Sequence, residues 1–180
     1  MDKKTVVTPY GSGDSKKVEV EKMFDKIAPK YDLLNRVLSL GIDVSWRKRA
    51  ISYLKSGQTK ELLDVATGTA DVAIMAAKIL KPSRIIGIDI ANQMLDIGRK
   101  KILKEGLEAV ITLETGDSEN LQFPDASFDA ITVAFGVRNF ENLEKGLSEM
   151  YRVLRPGGKI VILEFSRPQL FPFKQLYNTY

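Results

Sequence analysis

The sequence predicts an α/β protein: a doubly wound, mostly parallel sheet of Rossmann-like type with helices ahead of it. Three observations predict this. Five short runs, LLDVA (62–66), RIIGIDI (84–90), AVITLET (109–115), FDAITVAF (128–135) and KIVILEF (159–165), are rich in Val and Ile and bounded by Gly, Pro or Asp. They are nearly continuous in apolar residues, which is the pattern of strands buried on both faces. Helical patterns lie between them, at Val72 to Leu80, Gln93 to Glu105 and Leu143 to Leu154, so right-handed crossovers join parallel strands.

Before the first strand the period is helical. Residues 1–16 form a polar, flexible arm with Pro9, Gly11, Ser12 and Gly13 as breakers. Val18 to Ile27 reads as a helix that Pro29 stops near Ala28. Tyr31 to Leu40 is a second short helix with Gly41 just past its end. Asp43 or Ser45 can cap a third, from Trp46 to about Leu54, before Gly57 breaks the pattern. The domain boundaries follow: arm 1–16, helical lid 17–57, α/β core 58–168 and C-terminal segment 169–180.

A chain of 180 residues suits one domain with a real core. Its hydrophobic (44%) and charged (28%) fractions are those of an ordinary soluble protein. There is neither a membrane-length apolar run nor a signal-peptide core, and no cysteine, so a cytoplasmic location is expected. The net charge of +4 is scattered, a mild surface excess rather than a nucleic-acid footprint, though one that favours loose association with an anionic membrane face. The absence of histidine is more telling. Any general base must be Asp, Glu, Tyr, Lys or water, and Ser-His-Asp chemistry and His-ligated metals are excluded; no metal site is expected.

In open sheets of this kind ligands sit beyond the carboxyl ends of the strands. The first strand delivers Asp64 and the turn Ala66-Thr67-Gly68-Thr69-Ala70-Asp71, the second Asp89, the third Gly116-Asp117-Ser118, and the fourth Ala134-Phe135-Gly136-Val137-Arg138-Asn139. Asp89, 21 residues after Gly68, stands where a carboxylate bonds ribose hydroxyls. The turn has one glycine where a dinucleotide loop has three, and a third carboxylate, Asp117, repels a pyrophosphate. S-adenosylmethionine fits better, with its sulfonium, ammonium, ribose diol and adenine amine. Gly68 lets the backbone approach the methionine part, with Thr67 and Asp64 as a polar rim. Asp89 accepts from the ribose, Asp117 from the adenine amine, and the Ser118 amide donates to a ring nitrogen. Each residue also has a plainer reading: Asp and Gly are common turn residues after strands, and Asp71 can simply cap the next helix.

YDLLNRVLSLGIDVSWR (31–47), FGVRNF (135–140) and RVLRPGGKIVILEFSRP (152–168) resemble signatures of the ubiquinone/menaquinone biosynthesis C-methyltransferases, a match running from about Met23 to Pro168. The PGG before the fifth strand is widespread among class I methyltransferases, whereas the first segment and LEFSRP are much narrower. The resemblance implies methyl transfer from S-adenosylmethionine to a ring carbon of a prenylated hydroquinone. By motif position it makes Thr67, Asp89, Asp117 and Ser118 cofactor contacts, with Asp64 and Gly68 in the same first loop. Ala134 departs from relatives that carry Ser there. Sheets of this class normally have seven strands, of which five are countable before PFKQLYNTY. The C-terminal hairpin is therefore expected to be missing, by truncation rather than a naturally short chain, leaving the fifth strand exposed unless the tail or a second chain covers it.

A ring carbon becomes nucleophilic once the adjacent phenol, with an unperturbed pKa near 10, loses its proton. Arg138 is the expected anion-stabilising charge, and water held by Arg138, Asn139 or Tyr31 the expected proton route. Arg138 could equally be a surface arginine. Tyr31, Asn35 and Trp46 either form a lid or pin the helices to the sheet. The expected partners are a prenylated quinol, a peripheral membrane face and a second copy in a homodimer, with no nucleic acid. Alternatives are another small or lipid-like acceptor, or an inactive cofactor-binding subunit.

Overall fold

The computed structural model describes residues 9–166. The expected segment 169–180 and the first eight residues of the arm lie outside them. The elements are α1 (Lys16–Leu38), α2 (Ile42–Ser52), β1 (Glu61–Val65), α3 (Asp71–Leu80), β2 (Arg84–Asp89), α4 (Asn92–Glu105), β3 (Ile111–Thr115), β4 (Phe128–Ala134), α5 (Leu143–Val153) and β5 (Leu154–Leu163), with a 3-10 turn at Val137–Asn139. The five strands are parallel in the order β3-β2-β1-β4-β5. The order reverses beside β1, so the exits of β1 and β4 open onto one crevice, the usual ligand position.

Alternate residues of β1, β2 and β4 feed two cores. Leu62 and Ile85 face a cluster with Ile51, Leu54, Ala73, Leu95 and Leu113. Leu63, Ile86 and Ile131 face the other, with Phe128, Phe140, Met150 and Val153 from the α5 side. Burial on both faces is why these strands read as unbroken apolar runs rather than alternating ones. Strand β5 has β4 as its neighbour and ends the sheet, with a register irregularity opposite Phe128 to Ala130 where Pro156-Gly157-Gly158 loop out.

The N-terminal helices differ from expectation. Pro29 does not end a helix: α1 runs unbroken through it. Proline removes one amide donor, but tertiary packing spans the gap. Phe24, Ala28 and Tyr31 on either side of it pack against Ala91, Met94 and Ile97, and Asp25 accepts from the Gln93 amide at the start of α4 (2.9 Å). The two short helices are therefore one. Ser15 caps it, accepting from the Val18 amide (3.4 Å). Neither Asp43 nor Ser45 caps α2; Gly41, at φ 78°, holds that position. Asp43 is instead buried against Arg47 (2.5 Å) and accepts from the Ser39 hydroxyl (2.8 Å). Asp71 likewise caps nothing, since Ala70 precedes α3 without a side-chain cap.

The described part of the arm wraps a buried carboxylate. Glu19 accepts from the amides of Tyr10 (2.6 Å), Gly11 (3.0 Å) and Ser12 (2.7 Å) and from the Ser12 hydroxyl (2.8 Å). Burial pushes its carboxyl upward, but the amides and hydroxyl outweigh it and hold it at about 2.

Candidate functional site

The loop leaving β1 is strained. Ala66 (φ 52°), Gly68 (φ 56°) and Ala70 (φ 64°) are all left-handed, and Phe135 (φ 59°) joins them at the end of β4. Only glycine takes this conformation freely; each other residue there costs of order 1–3 kcal/mol, and such strain gathers at ligand sites. The Thr67 amide donates to the Ile88 carbonyl (2.9 Å) and the Ala70 amide to the Thr67 carbonyl (3.0 Å), which holds the loop in place. Below it Asp64 is 1% exposed and accepts from the hydroxyls of Thr67 and Thr132, both at 2.6 Å. Burial pushes the Asp64 carboxyl up to about 6, against the pull of those hydroxyls, and the nearby Asp89 charge adds to the rise.

Asp89 ties β2 to this loop. Its two oxygens accept from the amides of Gly68 (2.8 Å) and Ala91 (2.9 Å). Burial raises its pKa despite those bonds. Each oxygen retains a lone pair for a further donor. Asp117, leaving β3, accepts from the Glu119 amide (2.9 Å) and pairs with Lys17 of α1 (2.5 Å). Burial alone would lower the Lys17 pKa, but Asp117 more than offsets it and the net shift is upward. Glu119, buried, accepts from the amides of Glu141 (2.7 Å) and Asn142 (2.9 Å), joining the β3 and β4 exits.

These exits bound an open cleft of about 660 Å³, whose lining includes Tyr31, Gly68, Asp89, Asp117, Ser118 and Asn139. Val20, Phe24 and Met94 give it an apolar wall. A smaller adjoining cavity of about 360 Å³ takes in Arg47, Asp64 and Thr67, and shares Tyr31, Gly68 and Phe135 with the first. Thus six expected site residues meet in one cleft, while Thr67 and Asp64 brace the loop from beneath. Arg138 lies to the side: its guanidinium pairs with Glu164 (2.8 Å) and rests over the Phe165 ring (5.5 Å). Phe165 stacks on Phe135 (4.8 Å), which reaches the cleft wall.

The N-terminal helices are clamped to the β1 loop by charge. Arg47 bonds Asp43 and Asp71 (3.3 Å); Lys101 bonds Asp71 and Asp32 (2.8 Å); and the Thr69 hydroxyl donates to Asp32 (2.6 Å). Among the described residues no cluster of acidic groups could hold a metal ion. The donor set fits an adenosyl ligand instead: carboxylates for a diol and an amine, and left-handed backbone at Gly68 for close approach. Sequence reasoning missed Lys17, Glu119 and Glu164. Only Glu164 left a trace, inside LEFSRP.

The ubiE/COQ5 methyltransferase family matches over residues 12–180. A demethylmenaquinone methyltransferase of Bacteroides fragilis is 53% identical over 174 residues, covering 97% of this chain and 71% of that protein. A ubiquinone/menaquinone biosynthesis C-methyltransferase of Geotalea daltonii is 48% identical over 163 residues, covering 90% of this chain and 69% of its own. Among solved structures, an S-adenosylmethionine-dependent methyltransferase from Thermotoga maritima aligns with a TM-score of 0.65 at 22% identity, over 88% of this chain and 67% of that one. The cyclase SpnF aligns with a TM-score of 0.70 at 21% identity, over 87% of this chain and 62% of its own, so the fold alone does not fix the chemistry. The family does: the chain belongs to the ubiE/COQ5 methyltransferase family and is an S-adenosylmethionine-dependent C-methyltransferase.

Proposed function

We propose that this chain methylates a ring carbon of demethylmenaquinol to give menaquinol, working at the inner face of the membrane, with a homodimer as its assembly. The observation that carries the reading is the meeting of Gly68, Asp89, Asp117 and Ser118 with Tyr31 and Asn139 in one cleft, in a chain 53% identical to a demethylmenaquinone methyltransferase. S-adenosylmethionine supplies an electrophilic methyl on a sulfonium that departs as a neutral thioether.

Asp89 would hold the ribose hydroxyls and Asp117 the adenine amine once Lys17 yields, with the Ser118 amide as a donor toward the ring. Asp64 and Thr67 keep the loop in its left-handed path. Tyr31 and Asn139 line the side of the cleft where the quinol ring would stand. The phenol proton passes to a water held by Arg138, Asn139 or Tyr31. The ring carbon then takes the methyl, loses its own hydrogen to solvent and regains aromaticity. Arg138, held beside the cleft by Glu164 and the Phe165 ring, turns from that pairing to stabilise the phenolate.

The test is methyl transfer to demethylmenaquinol, followed by product mass, for this chain and for Arg138→Ala. The variant keeps its affinity for S-adenosylhomocysteine and loses turnover by roughly 100-fold, the order found on removing one anion-stabilising donor. Unchanged turnover rejects the role of Arg138. No product from any chain rejects the acceptor.

A further inference from the structure

The C-terminal half of α1 and its turn into α2 carry apolar residues that the fold does not use. Leu33, Val37, Leu38, Leu40 and Ile42 are exposed, Leu38 at 81% and Leu40 at 86%. Lys26, Pro29, Lys30, Leu33, Leu34, Val37 and Leu38 recur at helical spacing along one exposed face, cationic toward the middle of the helix and apolar toward its end. Leu40 is the clearest case. It is left-handed (φ 51°), where Gly or Asn is favoured, and no burial compensates it.

We infer that this elbow is the edge by which the protein docks on an anionic lipid bilayer. The inference rests on the reading of a prenylated acceptor, whose tail resides in such a bilayer. Charge supports that occupant. Lys30, Arg36, Lys48 and Arg49 are exposed on the two helices that meet at the elbow. The only carboxylates between residues 30 and 49 are both paired: Asp32, part-exposed, with Lys101 (2.8 Å), and Asp43, buried, with Arg47 (2.5 Å). An apolar tip in a cationic collar is the composition of an interfacial segment. A two-fold contact between copies of this chain would set the same cations against each other with no acid to neutralise them. No described helix is long and apolar enough to cross a membrane, so the contact is with the surface layer.

The experiment is flotation of this chain with vesicles of equal parts phosphatidylglycerol and phosphatidylcholine, against phosphatidylcholine alone. The wild type floats with the anionic vesicles, and added salt weakens it. Leu38→Asp with Leu40→Asp lowers the bound fraction at least about tenfold on anionic vesicles. Arg36→Gln with Lys48→Gln lowers it roughly fivefold per charge, on anionic vesicles only. All variants keep wild-type affinity for S-adenosylhomocysteine. The inference fails if the wild type does not float or if both variants float equally well. It also fails if the leucine substitutions only dissociate a dimer that never binds vesicles. Methylation of a short-tailed, water-soluble quinol is the same in all variants. Should flotation hold while no chain methylates any quinol, the docking edge stands and the acceptor assignment fails.

Discussion

Replacing Asp64 by Asn should reverse the sign of its effect on stability between acid and neutral pH. Asp64 is buried, and its carboxyl is raised from 3.8 to about 6. Below about pH 3 the group is protonated in both folded and unfolded chains, and the folded state loses nothing. As pH rises toward 6 the unfolded chain ionises first, and the folded state loses stability until the buried group has ionised too. At 1.36 kcal/mol per pKa unit this loss comes to about 3 kcal/mol, fully developed above pH 6. Asparagine has no such loss. It does place an amide nitrogen where the Thr67 and Thr132 hydroxyls donate, both at 2.6 Å, so one hydroxyl must turn, at about 1 kcal/mol independent of pH. Removing the charge also eases Asp89, which Asp64 faces across the loop. The variant is therefore about 1 kcal/mol less stable at pH 3 and about 2 kcal/mol more stable at pH 8. Urea unfolding at intervals across that range reads the difference, from which all other titrations cancel to first order. Two parallel stability curves would refute the reasoning.

Lys17→Ala should tighten S-adenosylhomocysteine binding by up to about fivefold, since a partly exposed ion pair contributes roughly 0.2–1 kcal/mol and the adenine amine must compete with it for Asp117; calorimetry showing weaker binding would oppose this. Gly136→Ala puts a Cβ 2.6 Å from the Ala66 Cβ and 3.2 Å from the Val133 Cγ2. It should drive the β1 and β4 exits apart, with a stability loss of about 1–3 kcal/mol and a clear loss of ligand affinity. A thermal melt and the same calorimetry check it, and wild-type affinity would count against the close approach.

The sheet was legible because burial on both faces leaves unbroken Val and Ile runs, as in Ile85–Ile88. Asp89, Asp117 and Gly68 were legible as cleft-lining residues because strand ends border the crevice in any doubly wound sheet. Pro29 misled because its local rule is real but weaker than the packing of Phe24, Ala28 and Tyr31 on α4. Lys17 was invisible because its partner is 100 residues away, and nothing in KKVEV marks that meeting. The left-handed Ala66 and Ala70 were hidden for a related reason. Alanine does not advertise a positive φ, so the single glycine of the loop understated its strain.

The continuity of α1 through Pro29 makes its two ends parts of one rod of 23 residues, about 34 Å long. Lys17 at one end pairs with Asp117, Leu38 at the other marks the exposed elbow, and Ala28 rests on α4 between them. The Ser15 cap and Lys17 at its start and the exposed Leu38 at its end are thus fixed relative to one another by a single helix, and the Ala28 contact on α4 sets where its whole length lies against the core.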